Sequence, residues 1–156
     1  MDADHPAIGV SFARRNTPAG SPRLQEGRLW VLDSGTGRFG WIEPASGEFT
    51  QVAFCPGYAR GLAFAGRYAV VGLSRARANR TFEGLALDDA LTRHGAEARC
   101  GLLVIDTVSG DTVAWVRIEG VIDDLFDVSY LPGTRCPSAI GIKSHEIRRA
   151  ISVGEE

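Results

Sequence analysis

The feature that most constrains the fold of this chain is a strand-turn-strand pattern that occurs twice, at residues 39–54 and at residues 102–116. In each copy an apolar run reaches an acidic residue, Glu43 or Asp106. A Ser-Gly turn follows, and a second strand-like run begins with another acidic residue. Runs of this kind bounded by turn residues indicate β-hairpins. Because each copy is followed by a further β-like run, the pattern predicts an all-β fold of antiparallel, four-stranded, propeller-like blades that form a partial β-propeller.

The composition divides the chain into three parts. Residues 1–27 are rich in Pro, Gly, Ser and Arg and have little periodicity, so we expect an irregular or loosely attached N-terminal segment in which residues 18–23 can run extended. Residues 28–142 carry the strand patterns of the propeller-like domain, which ends in a predicted hairpin of residues 125–131 and 138–142. Residues 143–156 form a polar C-terminal tail.

A long insertion interrupts the domain at residues 75–100. It contains five arginines, and its middle, residues 85–93, has the weak amphipathicity of about two turns of helix. A loop of this length within a compact β domain is usually either functional or mobile. We therefore expect an irregular insertion with one short helix.

Composition also limits the class of protein. With 156 residues, 44% of them hydrophobic, the chain can form one domain with a sizeable core. The net charge of -2 gives no electrostatic reason to expect nucleic acid or a membrane surface as a partner. No apolar stretch approaches the ~20 residues of a transmembrane helix. The three cysteines are widely separated, which argues against a disulfide framework and favours a reduced, cytoplasmic setting.

The predicted array is too short to close. About two and a half blades cannot form a ring, since propellers have about four to eight blades, and an open array leaves strand edges and blade faces uncovered. We therefore expect either a fragment of a longer protein or a chain that completes its sheets as a homo-oligomer or with a partner protein.

Several segments taken together resemble a known family. They are the stretches at residues 21–37, 54–64, 67–74, 100–106 and 125–128. Their joint pattern is similar to that of a bacterial family of conserved hypothetical proteins, the DUF4915 type, over about residues 18–142. Members of the family are about twice as long, and this chain resembles their C-terminal half. The resemblance implies a propeller-like fold but no established activity, so it assigns no catalytic residue.

The first candidate site is a group of charged residues at the expected channel entrance. Arg60 stands just before one predicted inner strand, and Asp123, Asp124 and Asp127 stand at the start of the next. Carboxylate oxygens are the ligands that Ca²⁺ and Mg²⁺ prefer, so these aspartates are candidate metal ligands. Arg60 beside them is a candidate ligand for a small anionic metabolite. The alternative is a solvated loop with a surface ion pair.

A second candidate lies where the insertion begins. Ser74, Arg75 and Arg77 can clamp an anionic group, because the guanidinium fork matches carboxylate and phosphate. The alternative is an exposed basic loop. Cys100 and Cys136 have the pattern of small buried residues and not of nucleophiles.

Two apparent motifs fail on context, and catalytic residues stay unassigned. The glycines at 35, 37 and 40 match a dinucleotide fingerprint, but a strand follows them where a helix is needed. His145 begins a zinc-like motif that has Arg149 at the position of the second histidine.

Three hypotheses of function follow. The first is a binding or interaction scaffold, the second a metal-dependent hydrolase or lactonase that uses channel carboxylates, and the third an inactive C-terminal fragment of a longer protein. The scaffold is favoured, because a lactonase-like site draws its ligands from several blades and this chain has too few. Only fold analogy supports the hydrolase.

Overall fold

The structure is a computed structural model of the chain, and it describes residues 19–75 and 86–135. This part of the chain contains eight strands and one helix. They are β1 (Ala19–Gln25), β2 (Arg28–Asp33), β3 (Arg38–Ile42), β4 (Phe49–Phe54), β5 (Tyr58–Ala65), β6 (Tyr68–Ser74), α1 (Ala86–Arg93), β7 (Gly101–Asp106) and β8 (Thr112–Arg117).

The strands form two four-stranded antiparallel sheets, each with neighbouring strands in chain order. The first sheet has the order β1-β2-β3-β4 and the second has the order β5-β6-β7-β8. The prediction of a mainly β fold with four-stranded antiparallel sheets is thereby confirmed.

The two copies of the sequence repeat have the same local structure. They are the β3–β4 hairpin in the first sheet and the β7–β8 hairpin in the second. Gly47 donates its backbone N–H to the carbonyl of Glu43, and Gly110 donates to Asp106, both at 2.8 Å. The two glycines have φ of 71° and 80°, a conformation that residues with a Cβ rarely adopt. The repeated Ser-Gly pair is therefore required by the turn.

β1 is a regular strand at residues 19–25, where the sequence predicted an irregular segment with an extended run at residues 18–23. The strand pairs with β2 through a two-residue turn in which Glu26 and Gly27 both have positive φ, as a type I′ hairpin requires. A register shift between Gly20 and Arg23 accommodates a proline in this edge strand. Proline and glycine conceal the strand pattern in the sequence.

The core lies between the two sheets. The first sheet contributes Trp30, Leu32 and Phe39, and the second contributes a larger set from three strands: Ala59, Leu62, Ala69, Val71, Leu73, Leu103 and Ile105. Trp30 stacks on Phe39 with ring centroids 5.1 Å apart. Side chains on one face of each sheet are thus removed from water, which is the main stabilising contribution to such a fold.

The helix predicted within the insertion is confirmed as α1. It buries Leu87 and Leu91 against Tyr58 and Phe54 at one end of the sheets. The aromatic ring of Phe54 stacks on His94, just after the helix, with centroids 4.2 Å apart. The helix therefore closes the end of the core at which β4 leads into β5.

The predicted strand at residues 125–131 is wrong, since this segment has no strand structure. Its predicted partner, residues 138–142, lies outside the described residues, as does the polar tail at 143–156. In the described ranges, no helix has the length and hydropathy needed to cross a membrane.

Candidate functional site

The residues predicted as two separate sites converge on one region of the second sheet. Arg60 lies in β5, Ser74 ends β6, and Arg75 follows it. The segment of residues 123–128 passes beside them, and the contacts described below connect it to both strands. Arg77 lies outside the described residues.

Ser74 fastens this segment to the sheet. Its side chain is 1% exposed, and its Oγ donates a hydrogen bond to the carbonyl of Leu125 at 3.1 Å. The same Oγ accepts a hydrogen bond from the Leu125 N–H at 2.9 Å. Both hydrogen-bonding roles of the hydroxyl are therefore used within the protein, and Ser74 acts as a structural latch.

Arg75 adds a second connection to the segment. Its backbone N–H donates to the carbonyl of Asp123 at 2.8 Å, and its guanidinium lies 3.6 Å from the Asp123 carboxylate. Both side chains are about half exposed, so the ion pair contributes little to stability. The backbone bond is the more important contact.

Arg60 lies between two aromatic rings. Its guanidinium is 5.1 Å from the ring centroid of Tyr58 and 5.7 Å from that of Phe126. Such cation–π contacts hold an arginine against a surface while its donors remain turned to water. Arg60 therefore joins the 123–128 segment to β5 by its side chain.

Asp127 completes the contact with β5. Its carboxylate accepts a hydrogen bond from the Val128 N–H at 2.9 Å and lies 3.7 Å from the Arg23 guanidinium. Gly61 has φ of 74°, and a Cβ at this glycine would collide with the backbone of Asp127 and Val128. The close approach of the two backbones depends on this glycine.

The geometry of the aspartates does not support a metal site. In the part of the chain that the structure describes, no group of three or more His, Cys, Asp and Glu side chains could hold a metal ion. Asp123 and Asp127 instead face arginines. Binding of Ca²⁺ or Mg²⁺ by Asp123, Asp124 and Asp127 stays a prediction from the sequence.

A serine beside the first sheet makes a contact similar to that of Ser74. Ser34 directly follows β2, as Ser74 ends β6, and it is equally buried. Its Oγ donates to the carbonyl of Ala59 at 2.5 Å, and Ala59 belongs to β5, the first strand of the next sheet. Leu125 therefore holds, against the second sheet, the position that Ala59 holds against the first.

The second sheet exposes an apolar surface that the first sheet buries. Val116 pairs with Leu102, and the equivalent pair in the first sheet is Ala53 with Phe39. Phe39 and Ala53 are buried against the second sheet, whereas Leu102 is half-buried and Val116 is 56% exposed. We call Leu102, Val104 and Val116, which lie on the face of the second sheet turned away from the core, the apolar surface of the second sheet.

This surface was missed from the sequence, although a signal for it exists. Nine of the eleven large hydrophobic side chains exposed in the described residues lie between Val108 and Leu131. The β8 sequence Thr-Val-Ala-Trp-Val-Arg has an exposed side chain at every position. Four of its six residues are apolar, which is more than a solvated edge strand needs.

The shifted pKa values of two cysteines and one aspartate have local structural causes. Burial raises the pKa of the Cys55 thiol to about 12, and burial also raises the pKa of Cys100, with Asp123 as a second cause. A hydrogen bond from the Val108 N–H lowers the pKa of Asp106, and Arg67 contributes to the same shift. Cys55 and Cys100 are thus poor nucleophiles, in agreement with the prediction for Cys100.

The fold and the repeated hairpins define a mainly β protein built of similar four-stranded antiparallel sheets. A family model described as "Domain of unknown function (DUF4915)" matches residues 16–140, and the chain belongs to this family. In comparisons with the curated proteins and with the solved structures, no match was found.

Proposed function

We propose that this protein is a propeller-like interaction scaffold that binds a second copy of itself through the apolar surface of the second sheet. The observation that supports the proposal is a difference in burial between two equivalent cross-strand residue pairs. Phe39 and Ala53 are buried by the next sheet, whereas in the same positions Leu102 is half-buried and Val116 is exposed. Exposed apolar surface of this extent is typical of interaction sites.

The latch supports a continuing array of sheets. Ser74 binds Leu125 as Ser34 binds Ala59, so the segment after residue 123 begins where the first strand of a third sheet would begin. It contacts β5 and the β6 residue Gly72. Leu102, Val104 and Val116 lie further along the same face and stay half-buried or exposed.

A second copy is the occupant that best fits this surface. The second sheet covers Phe39 and Ala53 of the first sheet, so another sheet is a suitable cover for the equivalent positions of the second sheet. Another copy presents the same surface, and two such surfaces can meet about a twofold axis, which is the commonest arrangement of oligomers. Val116 is more than half exposed and would be buried at the contact.

A charge placed in this surface tests the proposal. We expect the wild-type protein to have the mass of two 16.7 kDa chains by light scattering, and Val116→Lys to have the mass of one. Burying an unpaired ammonium costs several kcal/mol, whereas an exposed lysine costs the monomer little.

Gln51→Lys is the matched control, because Gln51 is exposed on β4, the edge strand of the first sheet. It should leave the mass of the dimer unchanged. A monomeric wild-type protein would contradict the proposal, whatever covers the apolar surface in that monomer.

A further inference from the structure

A cleft lies at the end of the sheets opposite to the β4–β5 connection. Its volume is about 420 Å³, within the range of small-molecule sites. It is bounded by the β1–β2 turn, the β5–β6 turn and the β7–β8 turn. Its lining includes Glu26, Arg28, Trp30, Phe64 and Thr107.

The cleft has an aromatic wall. Trp30 and Phe64 line it, with ring centroids 5.7 Å apart and planes tilted by 59°. Trp30 is 4% exposed, and its indole N–H has no hydrogen-bond partner in the described part of the chain. Buried indole N–H groups usually have a partner, so this side chain marks an unusual position in the core.

The cleft also carries one charge of each sign. The guanidinium of Arg28 lies 4.8 Å from the ring centroid of Trp41, which holds it in place. Among the described residues, no carboxylate forms an ion pair with Arg28, and no cation forms one with Glu26. Glu26 has φ of 50°, a backbone conformation that residues other than Gly, Asn and Asp rarely adopt. A glutamate at this turn position is unfavourable for the hairpin itself.

We infer that this cleft binds a small zwitterion of the α-amino acid class. Arg28 suits the carboxylate, because the guanidinium fork matches its two oxygens. Glu26 suits the ammonium group, and Trp30 with Phe64 suits an apolar side chain. A ligand with a single charge would leave one of the two protein charges facing it without a counterpart. The inference does not depend on the proposed self-association.

Thr107 adds a polar position to the same cleft. Its Oγ1 donates a hydrogen bond to the carbonyl of Arg67 at 2.7 Å. The proton of the hydroxyl is thus committed, and its lone pairs remain to accept from a ligand. An ammonium group provides the matching donor, which agrees with a zwitterion.

The test is an NMR titration of the ¹⁵N-labelled chain with each common L-amino acid in turn. We expect at least one of them to shift the Trp30 indole N–H and the Thr107 amide in a saturable manner. For that amino acid, the decarboxylated amine and the deaminated acid should each bind at least about tenfold more weakly. The inference is overturned if no amino acid shifts these signals, or if either analogue binds as tightly as the zwitterion.

Charge-neutral variants locate the binding. Arg28→Gln and Glu26→Gln replace exposed side chains, so both should remain folded, and each should weaken binding by about tenfold. Arg99→Gln is the control, since Arg99 is exposed beside the β4–β5 connection at the opposite end. Equal affinity of Arg28→Gln and wild type would show that the ligand binds elsewhere.

Discussion

Ser74 was predicted from the sequence as an anion-binding residue, and in the structure its hydroxyl connects two parts of the chain. The sequence pattern correctly predicted that Ser74 lies at the end of an apolar strand. It could not show that a backbone segment far along the chain would use both hydrogen-bonding roles of the hydroxyl. Cys100 is the opposite case, because its burial was predicted from the usual behaviour of an isolated cysteine.

Removal of the latch should destabilise the protein. Ser74→Ala leaves the N–H and the carbonyl of Leu125 without their partner, and we expect the free energy of unfolding to fall by about 1–3 kcal/mol. Urea denaturation followed by tryptophan fluorescence measures it. The control is Ser46→Ala, which removes one hydrogen bond in an exposed turn and should cost within about 0.5 kcal/mol. Equal losses in both variants would contradict the role of Ser74.

At the scale of elements, the strands that carry the repeat were predictable. Alternating apolar residues and Ser-Gly turns identified the β3–β4 and β7–β8 hairpins, and weak helical periodicity identified α1. β1 was predicted only as an extended run at residues 18–23, because its proline and glycine resemble a loop. Residues 125–131 were predicted as a strand from their apolar alternation, but a strand needs a paired neighbour, and sequence pattern alone does not report one.

Two glycines allow the packing of the 123–128 segment to be measured. Gly47 and Gly61 have φ of 71° and 74°, so alanine at either position costs about 1 kcal/mol of backbone strain. Only at Gly61 would the new Cβ also collide with Asp127 and Val128. We expect Gly61→Ala to lower the free energy of unfolding more than Gly47→Ala does, by at least about 1 kcal/mol. Urea denaturation gives both values, and equal losses would show that the segment is not held against β5.

At the scale of the whole molecule, the sequence predicted the division into similar sheets but not the surface that they expose. Among the described residues, β8 is an edge strand of the second sheet. The location of the surface depends on the difference in burial between the pair Phe39 and Ala53 and the equivalent pair Leu102 and Val116. The cleft was not predictable, because it is formed by three turns from distant parts of the chain.

Self-association through the apolar surface is tested most directly by NMR. The measured quantity is the accessibility of methyl groups to a soluble gadolinium chelate at low and high protein concentration. Leu102, Val104 and Val116 should lose accessibility as the concentration rises, because the second copy covers them. The methyl groups of Leu24, which is 74% exposed on the first sheet, should remain accessible. If the accessibility of Val116 is high and independent of concentration, the apolar surface of the second sheet does not bind a second copy.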